Sequence, residues 1–273
     1  MNDQPIIKLR QVYKSFGPLH VLLGVDLAIR RGSTTVVIGP SGCGKSVLLK
    51  HIVALLRPDR GEVFFEGREI SRLRERELVP IRQRVGFVFQ GGALFDSMTV
   101  EENVCFPLVE HDRRRRGDHA DRCREALRLV GLDGAQRKVP GELSGGQKKR
   151  VALARAIVLD PDVILYDEPT TGLDPVRADL INELIIKLQH ELTTTAVVVT
   201  HDMASARKVA DRIVMLYDGR FIADAAPAEL DGVRNEIVRH FVEGRASVQE
   251  LRELELGQLA EADNDQRKGE TRR

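Results

Sequence analysis

The eight residues at 39–46, GPSGCGKS, have the composition of a phosphate-binding loop. They match the pattern G-x-x-x-x-G-K-[ST] through Gly39, Gly44, Lys45 and Ser46, with a β-branched run before them and a helical pattern after them. Glycine lets the backbone curl so that successive N–H groups face an anion, and the helix that follows adds the positive end of its dipole. We therefore expect a nucleotide here, with the lysine on the β- and γ-phosphates and the serine hydroxyl on Mg²⁺.

A nucleotide site of this kind needs an acidic half, and residues 163–168, VILYDE, supply it. Four apolar residues predict a buried strand, and open α/β sheets bind ligands at the carboxyl ends of such strands. Asp167 is then expected to hold Mg²⁺, and Glu168 to polarise the water that attacks the γ-phosphate. A solvated strand end is the alternative interpretation of this pair.

Three further side chains are candidates for the same site. His201 ends the β-rich run TAVVVTH, where we expect contact with the γ-phosphate, although a lone histidine at a strand end is usually structural. Gln90 ends VGFVFQ in the same manner, where its amide could sense Mg²⁺ or the attacking water. Tyr13, in VYKSFG, could stack on a purine or be an ordinary strand aromatic.

The pattern of elements predicts an α/β fold. Buried strands alternate with helical stretches, which implies a mostly parallel sheet covered on both faces, and strand signals vanish over 99–158, which predicts an inserted helical subdomain. Strand signals lie at 6–12, 20–32, 34–39, 61–67, 85–90, 162–168, 195–201 and 212–225, and a helix is expected from Lys45 to about Leu56.

Composition narrows the class of protein. The chain has 273 residues, of which 42% are hydrophobic and 30% charged, as is ordinary for a globular protein with a hydrophobic core. Its net charge of +1 provides no electrostatic basis for binding nucleic acid. No apolar run approaches the roughly 18 residues of a membrane-spanning helix, and the first residues lack the apolar core of a signal peptide. Cys43, Cys105 and Cys123 form no C-x-x-C pair, so we expect neither zinc nor disulfides but reduced thiols.

A second glycine-rich stretch, ELSGGQKKR at 142–150, also looks suited to a phosphate. Ser144 would donate its hydroxyl, and Gly145 and Gly146 would offer backbone N–H groups at the start of a helix that runs to about Leu159. The chain thus carries two phosphate sites far apart in sequence.

Over residues 6 to about 225 the chain resembles the ATP-binding cassette (ABC) ATPases. The resemblance is carried, in this order along the chain, by Tyr13, the GPSGCGKS loop, Gln90, LSGGQ, VILYDE, GLD and His201. The resemblance implies a P-loop NTPase (RecA-like) core with an N-terminal antiparallel β-subdomain and a helical subdomain at about 91–158, together spanning 1–236, and a C-terminal helical extension with a disordered tail over 237–273.

The same resemblance implies that two copies pair head to tail with two ATP molecules between them. The second glycine-rich stretch would then hold the nucleotide of the other copy, which answers why one chain carries two sites. The residues expected to face ATP in their own chain are Tyr13, Gly39, Pro40, Ser41, Gly42, Cys43, Gly44, Lys45, Ser46 and Val47. Those expected to face the other chain's ATP are Ser144, Gly145, Gly146, Gln147 and Asp174. Glu168, His201 and Gln90 are the expected catalytic residues, and Ser46, Gln90 and Asp167 the expected Mg²⁺ ligands.

Within this family, the segments GGALFDSMTVEENV and RHFVEGRAS resemble the ATPases of Mla/Mce-type phospholipid transporters. That likeness implies a polytopic membrane permease and an MCE-type lipid-binding protein as partners, with this subunit held peripherally at the cytoplasmic face of the inner membrane. Many such relatives have methionine where this chain has Gln147. There are two alternatives: the ATPase of an importer of amino acids or other small solutes, and a non-transport ATPase that acts on DNA or ribosomes.

Two segments keep open interpretations. The basic run HDRRRRGDH at 111–119 is typical of a solvated loop, with lipid headgroup contact as the alternative. Residues 246–273 begin as an amphipathic pattern that either docks on another protein or forms a surface helix, and they end in a polar stretch.

Overall fold

A computed structural model describes residues 4–111 and 116–246 of the chain, which divides into two compact units between Leu230 and Asp231. The strands are β1 (Ile7–Phe16), β2 (Leu19–Ile29), β3 (Thr34–Ile38), β4 (Arg60–Phe65), β5 (Arg68–Glu69), β6 (Val85–Val88), β7 (Val163–Asp167), β8 (Thr195–Thr200), β9 (Arg212–Tyr217) and β10 (Arg220–Ala225). The helices are α1 (Lys45–Ile52), α2 (Glu75–Arg82), α3 (Val100–His111), α4 (Arg116–Leu129), α5 (Gly145–Ile157), α6 (Pro175–Glu191), α7 (Met203–Val209) and α8 (Glu236–Glu243).

The larger sheet has six strands in the order β10-β9-β3-β8-β7-β6. The strands from β9 to β6 are parallel, and β10 pairs antiparallel with β9 at the edge. Every residue of β3, β7 and β8 is buried, as expected for runs rich in valine, isoleucine and threonine that are covered on both faces. The predicted parallel core of an α/β fold is confirmed.

The smaller sheet is antiparallel, in the order β2-β1-β4-β5. Its central strand β1 is irregular, with register shifts against β2 between Leu9 and Val12 and again between Lys14 and Ser15. Gln11 takes a left-handed φ of 48° inside the first of these bulges, where its backbone N–H donates to Asp26 Oδ1 at 2.9 Å. A bulge rotates the residues after it, so simple alternation does not tell which way the later side chains of β1 point.

One hydrophobic core joins the two sheets. It contains Leu48, Leu49 and Ile52 of α1 together with valines and leucines of β3, β7 and β8 on one side and apolar residues of β1, β2 and β4 on the other. Because α1 is packed from both sides, the loop that precedes it is held firmly against the end of β3.

The predicted helical insertion contains α3, α4 and α5. The expectation of three reduced thiols is wrong for two of them, because the structure joins Cys105 of α3 to Cys123 of α4 as a disulfide with the Cα atoms 5.6 Å apart. The spacing of 18 residues carries no signal by itself. The contact arises only because the two helices pack side by side, while Cys43 is free.

Three local features differ from the sequence patterns. Helix α2 is not predicted above, because Pro80 inside it lacks a backbone N–H and disfavours a helix interior. Helix α1 ends at Ile52 rather than Leu56, and Ala54 just beyond it has a left-handed φ of 52°. The strand pattern at 212–225 is a hairpin, since Asp218 and Gly219 both take positive φ, the requirement of a tight two-residue turn.

In the second unit, α8 is capped at both ends. The Asn235 side chain accepts from the backbone N–H groups of Ile237 and Val238, and Gly244 ends the helix with a left-handed φ of 66°. The predictions for 247–273 lie outside the described residues, and so do the predictions for the side chains of the arginine run at 113–116. None of the helices in the described segments has the length and apolar character to cross a bilayer.

Gly86 in β6 allows the insertion to approach the sheet closely. A Cβ there would lie 2.4 Å from the carbonyl oxygen of Ala156 in α5. We expect Gly86→Ala to lower the free energy of unfolding by about 1–3 kcal/mol, because strand and helix must separate. Urea unfolding followed by circular dichroism measures this. The matched control is Gly141→Ala, since no atom lies within 4 Å of a Cβ at Gly141. Equal stability of the two variants would contradict the expectation.

Candidate nucleotide site

The glycine-rich loop at 39–46 runs from the end of β3 to the start of α1. Gly39 and Gly44 have φ values of 153° and 102°, which side-chain-bearing residues rarely adopt. A Cβ at Gly39 would lie 2.2 Å from the carbonyl oxygen of Leu216, and one at Gly44 would lie 2.7 Å from Val21 Cγ1. Both glycines are therefore required by conformation and by packing, which gives the loop its curled shape.

Lys45 is 6% exposed and its ammonium lies inside the curl of the loop. The Nζ atom donates to the carbonyl oxygens of Gly39 at 2.8 Å and Pro40 at 3.0 Å, and it lies 3.7 Å from Glu168 Oε1. The geometry concentrates positive charge at the centre of the cradle.

Ser46 and Asp167 meet across the junction of α1 and β7. Ser46 Oγ donates to Asp167 Oδ1 at 2.8 Å, and Asp167 is 6% exposed. Burial raises the pKa of the Asp167 carboxyl, while the hydrogen bond from Ser46 opposes that rise. A hydroxyl and a buried carboxylate side by side fit a hard cation such as Mg²⁺, which takes few ligands from protein and the rest from water and phosphate.

Glu168 follows β7 directly and has a left-handed φ of 49°, a strained conformation for a residue with a side chain. Its backbone N–H donates to the carbonyl oxygen of Val199 in β8 at 3.0 Å. Its carboxylate receives the hydroxyl of Thr171 at 3.1 Å and lies 2.9 Å from Nδ1 of His201. Glu168 and His201, two separately predicted catalytic residues, are thus in direct contact, with the histidine side chain 51% exposed.

A cavity of about 410 Å³ opens beside this cluster. Its walls are Phe16, Leu19, Val21, Ser41, Gly42, Gly44, Lys45, Ser46, Val47, Gln90 and Glu168. The structure therefore brings the glycine-rich loop together with Gln90 and Glu168, which lie far apart in sequence. Gly39 and Pro40 support Lys45 from behind, and Asp167 reaches the cavity through Ser46.

Cys43 belongs to the loop but is not among the wall residues of this cavity. Its sulfur faces Gly39, where an added Cβ would lie 2.8 Å from Sγ. Burial raises the pKa of the Cys43 thiol, while the charge of Lys45 opposes that rise. The thiol is therefore less reactive than a free cysteine at neutral pH.

The aromatic ring in the cavity wall belongs to Phe16, not to Tyr13. The Arg60 guanidinium covers the Tyr13 ring at 5.1 Å from its centroid, and the Tyr13 hydroxyl lies 2.6 Å from where a Cβ of Gly24 would be. Phe16 is 45% exposed at the end of β1. The bulges of β1 explain why Phe16, and not Tyr13, lines the cavity. In the sequence, the turn after SFG is the nearest feature that could have indicated the position of Phe16.

The second glycine-rich stretch forms the start of α5. Ser144 is the N-cap, and it exchanges hydrogen bonds with Gln147 in a capping box: Ser144 N–H donates to Gln147 Oε1 at 2.9 Å, and Gln147 N–H donates to Ser144 Oγ at 3.3 Å. Ser144 and Gly145 are exposed, and residues 144–147 are absent from the walls of the cavity described above. The exposed helix end thus does not line the chain's own loop site.

Asp174 caps a different helix. Its side chain accepts from the backbone N–H of Arg177 at 3.0 Å and forms an ion pair with the Arg177 guanidinium at 3.2 Å, which holds the start of α6. Asp174 is exposed at the surface.

An apolar groove of about 600 Å³ lies on another face of the same unit. Its walls include Val79, Phe87, Phe89, Phe95, Phe106 and Leu159. Val79 and Phe95 are 40% and 41% exposed. The groove adjoins the segment that follows Gln90, and Arg155 of α5 crosses its floor to donate to the carbonyl oxygens of Gly92 and Ala93 at 2.7 and 2.8 Å.

Comparison with known proteins gives consistent matches. Residues 22–171 match the ABC transporter family. The chain is 42% identical over 239 residues to a probable ribonucleotide transport ATP-binding protein of Mycobacterium leprae, an alignment that covers 88% of this chain and 69% of that protein. It is 38% identical over 244 residues to the intermembrane phospholipid transport system ATP-binding protein MlaF of Haemophilus influenzae, with 89% and 92% covered.

Among solved structures, a dimeric ATP-binding cassette in a post-hydrolysis state with ADP and Pi superimposes with a TM-score of 0.75 at 37% identity, which covers 81% of this chain and 98% of that one.

Proposed function

The chain belongs to the ABC transporter family, and from that premise we propose that it is the ATP-hydrolysing subunit of a phospholipid transporter that works as a head-to-tail pair of identical chains. The observation that carries this proposal is the cavity that unites the glycine-rich loop, Gln90 and Glu168 while leaving residues 144–147 outside it. One phosphate site and one exposed helix end in the same chain fit a pair of copies in which each supplies its helix end to the other's site.

ATP binds with its phosphates in the glycine-rich loop. The backbone N–H groups and the Lys45 ammonium neutralise the β- and γ-phosphates, and the start of α1 adds its dipole. Ser46 and Asp167, with Gln90 nearby in the cavity, would hold Mg²⁺, which supplies charge stabilisation at the transferring phosphoryl group. The ring of Phe16 takes the adenine, because it is the aromatic group in the cavity wall.

Hydrolysis uses Glu168 to accept a proton from the attacking water. The carboxylate is held by Thr171 and His201 on one side and faces Lys45 on the other. His201 positions Glu168 and contacts the γ-phosphate, and Gln90 orients the water and would help to hold Mg²⁺.

The second copy closes the site. The partner's Ser144 donates its hydroxyl to the γ-phosphate, and the partner's Gly145 and Gly146 donate backbone N–H groups from the start of α5, where Gln147 maintains the cap. Asp174 links the two sites at the surface between the chains. The dimeric state of the superimposed cassette supports this arrangement.

A membrane permease occupies the apolar groove. A groove with phenylalanine walls and half-exposed apolar side chains suits one face of an amphipathic helix. The groove adjoins the segment after Gln90, so a helix seated there can press on the loop that carries this residue. Attachment through the permease would place the subunit at the cytoplasmic face of the inner membrane.

The cargo is phospholipid, and an MCE-type lipid-binding protein belongs to the complex. This part of the proposal depends on the segments that resemble the Mla/Mce-type ATPases and on the match to the phospholipid-transport relative over nearly all of that protein.

Glu168→Gln tests the proposed pair. Glutamine cannot accept the proton, so we expect turnover to fall by at least about 100-fold while ATP and Mg²⁺ accumulate a stable dimer. Light scattering after size exclusion measures the mass. On this background, Ser144→Asp keeps an N-cap but brings a carboxylate to the partner's phosphate, so the dimer should be lost, whereas Ser144→Asn should keep it. A monomeric Glu168→Gln chain, or an unaffected Ser144→Asp dimer, would refute the arrangement.

Phe16→Ala separates the two candidate aromatic residues. Stacking on a base contributes about 1–3 kcal/mol, so we expect ATP affinity to fall at least about 5-fold. Tyr13→Leu should change affinity by less than about 2-fold, as substitutions outside a site usually do. Fluorescence titration with a labelled ATP analogue measures both. The reverse order of effects would assign the adenine to Tyr13.

Affinity purification of the full chain from its native membranes tests the cargo. We expect a polytopic permease and a lipid-binding MCE protein to accompany it, with phospholipid identified by mass spectrometry. Val79→Glu with Phe95→Glu should release the permease, because two carboxylates cannot be buried in the groove. A soluble solute-binding protein in place of the MCE protein would identify a small-solute importer instead.

A further inference from the structure

Lys149 lies on α5, two residues beyond the capping box, and is 7% exposed. Its ammonium reaches two backbone carbonyl oxygens of the nucleotide cavity: that of Gln90, at short range, and that of Glu168 at 3.4 Å. The Lys149 side chain therefore connects α5, whose start is proposed to face the other chain's ATP, to the Gln90 and Glu168 segments of its own site.

The surroundings of Lys149 are unusual for a lysine. Among the described residues no carboxylate oxygen lies within ion-pair distance of its Nζ, although Asp167 and Glu168 are close enough to favour its charge. Burial lowers the pKa of the Lys149 ammonium, and the charges of Glu168 and Asp167 oppose that fall. A buried ammonium whose acceptors are carbonyl oxygens alone carries a large desolvation free energy. An apolar side chain at the same position could pack there without that cost.

The carbonyl that Lys149 holds belongs to a strained peptide. Glu168 has a left-handed φ of 49°, and its backbone N–H is held by Val199 on the opposite side. Fixing both the N–H and the carbonyl fixes the direction in which the carboxylate leaves the backbone. A loss of the carbonyl contact would let the peptide relax and move the carboxylate.

The Gln90 segment is held along α5 at two points. Lys149 binds the carbonyl of Gln90, and Arg155 binds those of Gly92 and Ala93. Of these two cations, Lys149 is the one that also reaches Glu168.

We propose that Lys149 is a positioning residue for ATP hydrolysis, whose ammonium ties the Gln90 and Glu168 peptides to α5 and so aligns the attacking water and its base. This rests on the proposed roles of those two residues. Because Ser144 caps the start of α5, the contacts of Lys149 make this alignment depend on how that helix end binds the other chain's nucleotide.

Lys149→Met in the full chain removes the donor and leaves an unbranched apolar side chain one atom shorter. A misplacement of about 1 Å can cost about 100-fold in rate, so we expect kcat to fall by about 10- to 100-fold while the KM for ATP stays within about 3-fold. Lys149→Gln keeps a shorter neutral donor and should recover part of kcat. Lys148→Met is the matched control, since Lys148 is the adjacent lysine on the same helix and is partly exposed.

Hydrogen–deuterium exchange of residues 89–93, measured without nucleotide, gives a second readout that is independent of turnover. We expect faster exchange in Lys149→Met than in wild type and no change in Lys148→Met. Unchanged exchange, a kcat within about 3-fold of wild type, or an equal loss in Lys148→Met would overturn the assignment. If Lys149→Met fails to fold, Lys149→Gln decides by the same two measurements. The two proposals can fail separately. If Lys149→Met alters the exchange but the Glu168→Gln variant stays monomeric, the head-to-tail pair is rejected and the positioning role of Lys149 is retained.

Discussion

The contact between Lys45 and Glu168 at the carboxyl edge of the parallel sheet is the constraint around which the rest of the structure is organised. Both groups are nearly buried, and burial of a charge is tolerated only where other groups compensate for it. The carbonyl oxygens of Gly39 and Pro40 compensate for the ammonium, and Thr171 and His201 compensate for the carboxylate. A triphosphate with its cation is the kind of ligand that such a partly balanced cluster can accept.

This cluster depends on the register of the sheet. β3 and β7 each pair in parallel with β8, so the loop after β3 and the carboxylates after β7 emerge at one edge. The core on both sides of α1 keeps the glycine-rich loop at that edge, and the N–H of Glu168 on Val199 ties the strained residue to the neighbouring strand. Hydrophobic packing thus determines the distances between charges that no local pattern controls.

Features set by local sequence could be predicted. The glycine-rich loop, the two acidic residues that end VILYDE and the alternation of strands and helices each have a backbone or burial requirement that is visible in a few adjacent residues. Features set by contacts between distant segments could not. Bulges in β1 turn Tyr13 toward Arg60 and leave Phe16 in the cavity, Cys105 meets Cys123 through helix packing, and Lys149 reaches carbonyls 59 and 19 residues away.

The reciprocal bonds between Ser144 and Gln147 have a consequence for assembly. With its oxygen accepting from the backbone N–H of Gln147, the Ser144 side chain is restricted in rotation, and its own O–H can still donate to another group. Ordering a flexible side chain on association costs roughly 0.5–1.5 kcal/mol, and here that entropy is already lost in the separate chain. A nucleotide-loaded neighbour would therefore meet a rigid donor, which favours rapid and repeatable closure over slow adjustment during each cycle.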